Sequence, residues 1–231
     1  MEIEEKIFFI FLAILTWMRN FVKQTIALYH KDGLTGLFAR IRFWDAPFDK
    51  LEKIIPKTGK ILDLGCGDGI FANYLAITGP GRDIVGIELN KNRLKFANKG
   101  LRNTRFLAGD VLRKEFPQAD VVTMIHLLHH LPSRESQENL VRKVSCKLSK
   151  GGQLIIAEVS ERPLLKYIVS WLTDVFVVPI LFESKLFSRD VYYRKDKDWK
   201  SLLSKYGFVV KYRNLHRNKL FSHSLFVATK K

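Results

Sequence analysis

The chain has 231 residues, 47% of them hydrophobic, which fits one domain with an extension better than two domains and is enough to bury a full core. Its formal net charge is +16, with fifteen basic against six acidic side chains in residues 161–231, so the last third is the basic face and suits phosphate-bearing or anionic partners. The two cysteines, Cys66 and Cys146, are too few and too far apart for a disulfide framework or a cysteine zinc site, and a reducing cytoplasm is the expected setting.

The first element in chain order is apolar. Ile7–Met18, "IFFIFLAILTWM", carries no charge. As a helix it is about 18 Å long against a hydrocarbon core of about 30 Å, so it can lie in a leaflet but not cross one. Glu2, Glu4 and Glu5 stand where a secretory signal carries positive charge. The expectation is a helical extension over residues 1–55, serving as a membrane anchor and a cover for the active site, followed by one domain over 56–231.

Between residues 60 and 158 short apolar strands alternate with helical segments. The strands are predicted at Lys60–Leu64, Asp83–Ile87, Thr104–Ala108, Asp120–Ile125 and Gln153–Glu158, and the helices at Phe71–Ile77, Lys91–Lys99 and Arg134–Leu148, the last opened by Ser133. A helix around Trp199–Lys205 and two β-rich runs, Phe208–Leu215 and Leu220–Thr229, complete the pattern. The predicted class is α/β: a doubly wound, mostly parallel seven-stranded sheet with an antiparallel terminal strand. An amphipathic insertion, 163–187, follows the fifth strand. In it Lys166, Ser170, Thr173 and Asp174 share one helical face, and Pro179 is expected to end or kink the helix.

"ILDLGCGDGI", Ile61–Ile70, runs from a strand into three alternate glycines, and Glu88 follows at the end of the second strand. A strand, a glycine turn, a helix and a later acid form the general design for holding an adenosine ribose over a sheet edge. A dinucleotide fingerprint needs its third glycine where this chain has Ile70, and a pyrophosphate favours positive surroundings. Here the nearby acids are Asp63, Asp68, Glu88 and Asp110, which suit a cationic ligand such as S-adenosylmethionine.

"LDLGCGDG", "IVGIELN", "FLAGDV" and "ADVVTMIHLLHHLP", in that order, resemble the motifs of the class I S-adenosylmethionine-dependent methyltransferases over roughly residues 55–160. The resemblance implies that Asp63, Gly65 and Gly67, with Cys66 between them, hold the methionine end of the donor. It implies that Glu88 and Leu89 meet the ribose, that Asp110 and Val111 meet the adenine, and that the backbone at Met124–Ile125 meets the reactive end. A turn or helix cap is the plainer role for Asp63 or Asp110.

Methyl transfer from an activated donor rests mainly on placement and exclusion of water, with a base needed only when the acceptor must lose a proton. His126, His129 and His130 lie at the exit of the fourth strand, and the resemblance to phosphoethanolamine methyltransferases makes His130, then His126, the candidate catalytic base. With no carboxylate near these histidines in the sequence, no metal site is predicted. The exit reads "MIHL" rather than Asn/Asp-Pro-Pro-Tyr/Phe, and neither cysteine is placed as a cytosine nucleophile, which argues against those nucleic-acid chemistries. The two apolar segments instead predict a membrane surface, inner-face and peripheral or monotopic, and a lipid or lipid-like acceptor. A phospholipid amine head group is favoured and a quinone or isoprenoid fits as well, with Tyr192 or Tyr193 placed to face an alkylated ammonium. An RNA or protein methyltransferase and a non-catalytic cofactor-binding scaffold are the alternatives, since the basic, aromatic last third also suits RNA.

Overall fold

In the computed structural model, residues 20–180, 186–187, 191–215 and 219–231 are described, and the apolar segment Ile7–Met18 lies outside them. Strands β1 (Thr58–Leu64), β2 (Gly81–Glu88), β3 (Thr104–Ala108), β4 (Ala119–Ile125), β5 (Leu148–Val159), β6 (Phe208–Asn214) and β7 (His223–Lys230) make one sheet in the order β3-β2-β1-β4-β5-β7-β6. The first five run parallel. β7 is antiparallel to both neighbours, so the terminal strand inserts between β5 and β6 and leaves β6 at the edge.

The helices are α1 (20–27), α2 (Leu34–Asp45), α3 (Phe48–Ile54), α4 (Ile70–Thr78), α5 (Lys91–Ala97), α6 (Arg134–Lys147), α7 (Leu164–Leu172) and α8 (Asp196–Lys205). One face of the sheet buries Leu140, Val141 and Val144 of α6 with Trp199, Leu202 and Leu203 of α8. The other buries Tyr29, Ala39 of α2, Phe48 and Leu51 of α3, and Phe71, Tyr74 and Leu75 of α4. Both faces are covered at the middle of the sheet, which is why the buried parts of β1, β2, β4 and β5 read as apolar runs rather than alternating ones. Ser133 caps α6 as expected, its hydroxyl accepting from the Ser136 N–H at 3.0 Å.

Residues ahead of the sheet are tied into it by polar groups. Buried Tyr29 donates its hydroxyl to the Asp68 carbonyl at 2.8 Å and accepts from Asn73 Nδ2 at 2.7 Å. Arg82, 1% exposed, donates to the carbonyls of Pro56, Ile55 and Leu75 and to Glu52 of α3, locking the β1–β2 corner to the preceding helices.

From Thr173 the backbone of the insertion widens into π turns, Thr173–Val177, and it is still helical at Pro179 and Ile180, the last described residues of this helix. Such widening leaves room for a residue that cannot donate a backbone hydrogen bond, and π turns recur at functional sites.

Candidate active site

The sheet order reverses between β1 and β4, and a cleft opens at the carboxyl ends of those strands, where α/β sheets bind ligands. Leaving β1, Gly65, Gly67 and Gly69 adopt φ of 70°, 56° and 70°, conformations that disfavour side chains. A Cβ on Gly65 would also lie 2.6 Å from Leu127 Cδ1. The N–H groups of Gly65 and Cys66 donate to the Ile87 carbonyl at 2.8 and 3.1 Å, and Gly67 N–H donates to Glu88 Oε2 at 2.8 Å, so the end of β2 shapes the glycine turn.

Of the sequence-predicted residues, Asp63, Gly65, Cys66, Gly67, Ile125, His126 and His130 line this cleft. The others stand apart from its wall. Glu88 is engaged by Gly67 and by the Asn90 N–H at 2.8 Å, Leu89 is exposed, and Val111 and Met124 are buried in the core. Asp110 accepts from the Leu112 N–H at 2.9 Å, the turn-capping role.

Asp63 is 3% exposed and accepts from Thr123 Oγ1 at 2.6 Å. Burial, helped by the charge of Glu88, raises its pKa to about 7 despite that hydrogen bond. Beside the acids expected at the cleft, two cations that the sequence reading did not name, Arg42 of α2 and Arg93 of α5, also line it. Arg93 Nη2 lies 2.9 Å from Asp68 Oδ2, so that acid is already paired.

The histidine cluster is built by four elements. His126 takes a left-handed φ of 54°, and its N–H donates to the Ala157 carbonyl at 2.8 Å. Burial and the nearby charge of Arg42 push its pKa well below the ordinary value, so it is neutral. The 3-10 turn Leu128–His130 carries the next two. His129 is buried, with Nδ1 2.5 Å from Glu158 Oε2 at the end of β5 and Nε2 3.3 Å from Asp174 Oδ2 in the π turn. Burial alone would lower its pKa, but the two carboxylates overcome that and raise it to about 10. His130 is exposed at the mouth of the cleft beside it, ring centroids 4.1 Å apart, and the protein crowded around its ring together with the His129 charge pushes its pKa down.

A model of the methyltransferase domain matches residues 37–212, most of the chain. The chain belongs to this family. By family it carries a methyltransferase domain, and its fold is that of class I S-adenosylmethionine-dependent methyltransferase structures. Among curated relatives, a ubiquinone biosynthesis O-methyltransferase of Chromobacterium violaceum is 34% identical over 108 residues, 44% of each chain. An uncharacterized methyltransferase of Bacillus mycoides is 31% identical over 113 residues, 48% of this chain and 52% of that one. The chain thus spans about half the length of the curated relatives it matches. Among solved structures, an S-adenosylmethionine-dependent methyltransferase of Methanosarcina mazei superposes with a TM-score of 0.60 at 21% identity, covering 78% of this chain and 96% of that one. Human N-acetylserotonin methyltransferase with bound S-adenosylmethionine gives 0.63 at 19% identity, covering 88% and 58%.

In this methyltransferase several cleft residues escape a sequence reading. Asp174 and Glu158 reach the histidines from the insertion and from β5, so the premise that no carboxylate stands near them fails in three dimensions. Tyr193 is tied to the histidine cluster: its ring stacks on His129 at 5.1 Å and its hydroxyl donates to Asp174. A further pair joins the chain's two ends, where His223 Nε2 lies 2.9 Å from Asp45 Oδ2 while Asp45 Oδ1 accepts from the Leu220 and Phe221 N–H groups. Only the mixed Ser-Asp face of the insertion hinted at any of these contacts.

Proposed function

We propose that this methyltransferase transfers a methyl group from S-adenosylmethionine to a hydroxyl-bearing lipid-like acceptor, of the quinone or isoprenoid class, taken up at a membrane surface. The observation that carries the proposal is the orientation of α7 and its π turn. Ser170, Thr173 and Asp174 line the cleft, while Leu164, Leu165, Ile168, Trp171, Leu172 and Phe176 are exposed on the outside. A solvent-facing helix is normally arranged the other way round, and an apolar outer face beside a cleft entrance suits a lipid surface. α2 repeats the arrangement, with Phe38 and Arg42 toward the cleft and Leu34, Leu37 and Trp44 exposed. Among the described residues no helix is long and apolar enough to cross a membrane, so the contact proposed is peripheral.

In this proposal Asp63 and the Gly65–Gly67 turn hold the methionine end of the donor, and Glu88 reaches the ribose by exchanging its bond to Asn90. The acceptor oxygen rests at the His126–His130 corner. His130 is neutral and opens to the cleft, so it can accept the acceptor's proton as the methyl group moves. Its lowered basicity leaves positioning as the larger catalytic effect. The amine head group of a phospholipid is the second reading, favoured by the carboxylates Asp45, Asp63 and Asp174 around the cleft.

The test supplies labelled S-adenosylmethionine to the full chain with vesicles containing either a polyprenylated catechol or phosphatidylethanolamine. Label in the catechol supports the first reading and label in the amine the second. Label only in added RNA or protein, or none with the donor bound, overturns both.

A further inference from the structure

We infer that His129, His130 and Asp174 form a binding site for a zinc-like divalent transition-metal ion at the corner of the cleft where the proposed acceptor rests. One ligand atom from each of the three lies within 4.8 Å of the other two. Two imidazoles and one carboxylate are a familiar zinc donor set, one that leaves coordination positions for water or substrate. Those positions face the cleft, because His130 and Asp174 line it.

The second observation is an unsatisfied atom. His129 is 1% exposed, and its Nε2 is ion-paired with Asp174 Oδ2 at 3.3 Å without good hydrogen-bond geometry, so a metal ion would take the place of the proton held between them. A buried imidazole nitrogen that faces a carboxylate without a well-made hydrogen bond is uncommon, and on losing its proton this one is within reach of the same ion as Asp174 and His130.

The support behind the ligands is that of a metal site as well. His129 Nδ1 donates to Glu158 Oε2 at 2.5 Å, and Glu158 Oε1 accepts from the Leu128 N–H at 2.8 Å. This carboxylate–histidine contact fixes the tautomer that presents Nε2. Tyr193 stacks on the His129 ring and donates to Asp174, which orients both ligands from one side chain. Asp174 itself sits in the π turn, whose extra backbone width sets where its carboxylate falls.

A bound ion would occupy the His130 lone pair, so at this corner the inference takes the place of the base role given to that residue. It rests on the proposed function only for the acceptor's location. The ligand set predicts zinc, cobalt or iron rather than magnesium, which prefers oxygen donors.

The full chain, freed of metal with a chelator, is titrated with Zn²⁺, Co²⁺ and Mg²⁺ while S-adenosylhomocysteine binding is followed calorimetrically on the same sample. One equivalent of zinc is expected, with cobalt giving ligand-field bands and magnesium failing to compete. His130→Gln and Asp174→Asn, both at partly open positions, should each weaken zinc by about a hundredfold or more. Glu158→Gln should weaken it by about 10–100-fold. A Cys66→Ser, Cys146→Ser chain should bind zinc unchanged. Absence of saturable zinc uptake, or uptake indifferent to His130→Gln and Asp174→Asn in folded protein, overturns the site. Donor binding that persists through that failure leaves the methyltransferase reading intact, whereas loss of donor binding would strike that reading instead.

Discussion

Replacing Asp63 by asparagine should make the protein more stable and unable to hold its donor. The folded pKa of about 7 stands above the ordinary 3.8, so the native state binds this proton more tightly than the unfolded chain. A carboxyl raised in this way contributes no penalty below pH 4. Its ionisation destabilises the fold progressively between pH 4 and 7, and the penalty is constant above. The gap corresponds to about 4 kcal/mol at the upper plateau. Asparagine keeps an acceptor for Thr123 Oγ1 and never ionises, but its amide N–H₂ needs a new partner, so the net gain at pH 8 should be about 2–4 kcal/mol. For a chain of this size that is about 5–15 °C in Tm. Thermal melts followed by circular dichroism from pH 4.5 to 8.5 should show the two proteins converging in acid and separating in base. Calorimetry should show S-adenosylhomocysteine binding weakened by about a hundredfold or more in the variant, and the wild-type affinity rising with pH through about 7. An Asp63→Asn protein that melts below the wild type at pH 8, or a gap that stays open at pH 4.5, would contradict the burial penalty assigned to this carboxylate.

Gly65→Val, at φ 70° and against Leu127, should abolish donor binding while circular dichroism still reports a folded chain; binding within tenfold of wild type would show that the turn has room to spare. Metal-depleted His130→Ala should turn over about a hundredfold more slowly with donor affinity little changed, and full activity across pH 6–9 would leave His130 without a role in proton transfer. Arg82→Ala strands three carbonyls in the interior and leaves Glu52 to Lys57 alone, and should cost about 2–4 kcal/mol in urea unfolding; a loss under 1 kcal/mol would mean water replaces the guanidinium. Ile168→Glu with Trp171→Glu removes two apolar groups worth about 1.5–3 kcal/mol each, so co-sedimentation with anionic vesicles should fall by at least about tenfold at unchanged Tm. Unchanged sedimentation would move the membrane contact away from α7.

The middle of the sheet was legible because β1, β4 and the second half of β5 are buried and announce themselves as apolar runs between glycine or polar turns, whereas β3 and β6 at the edges are largely exposed. Thr104–Ala108 was placed to the residue, and most other ends moved by one to three. β5 began earlier than expected because Leu148 already pairs with Ala119, a contact set by the neighbouring strand rather than by local pattern. The glycine turn was legible because its chemistry is local: bare backbone must follow β1 immediately. The histidine corner was only half legible. His129 and Glu158 stand 29 positions apart and Asp174 lies in a segment whose helical period breaks into π turns, so neither spacing nor periodicity could bring them together. Arg42 and Arg93 were overlooked for the same reason, since the electrostatics of a cleft are summed over elements that the chain visits at different times.

The two-sided build of α7 would make the outer contact proposed for it an effector in the thermodynamic sense. Leu165, Ile168 and Trp171 look outward from the same short rod whose inner side carries Ser170 and leads into Asp174. A shift of that rod, were α7 to dock as proposed, would change the distance between Asp174 and His129, and with it the affinity of whatever occupies the corner. Coupling of this kind is reciprocal: a ligand that draws Asp174 inward must tighten the outer contact by the same factor by which that contact tightens the ligand.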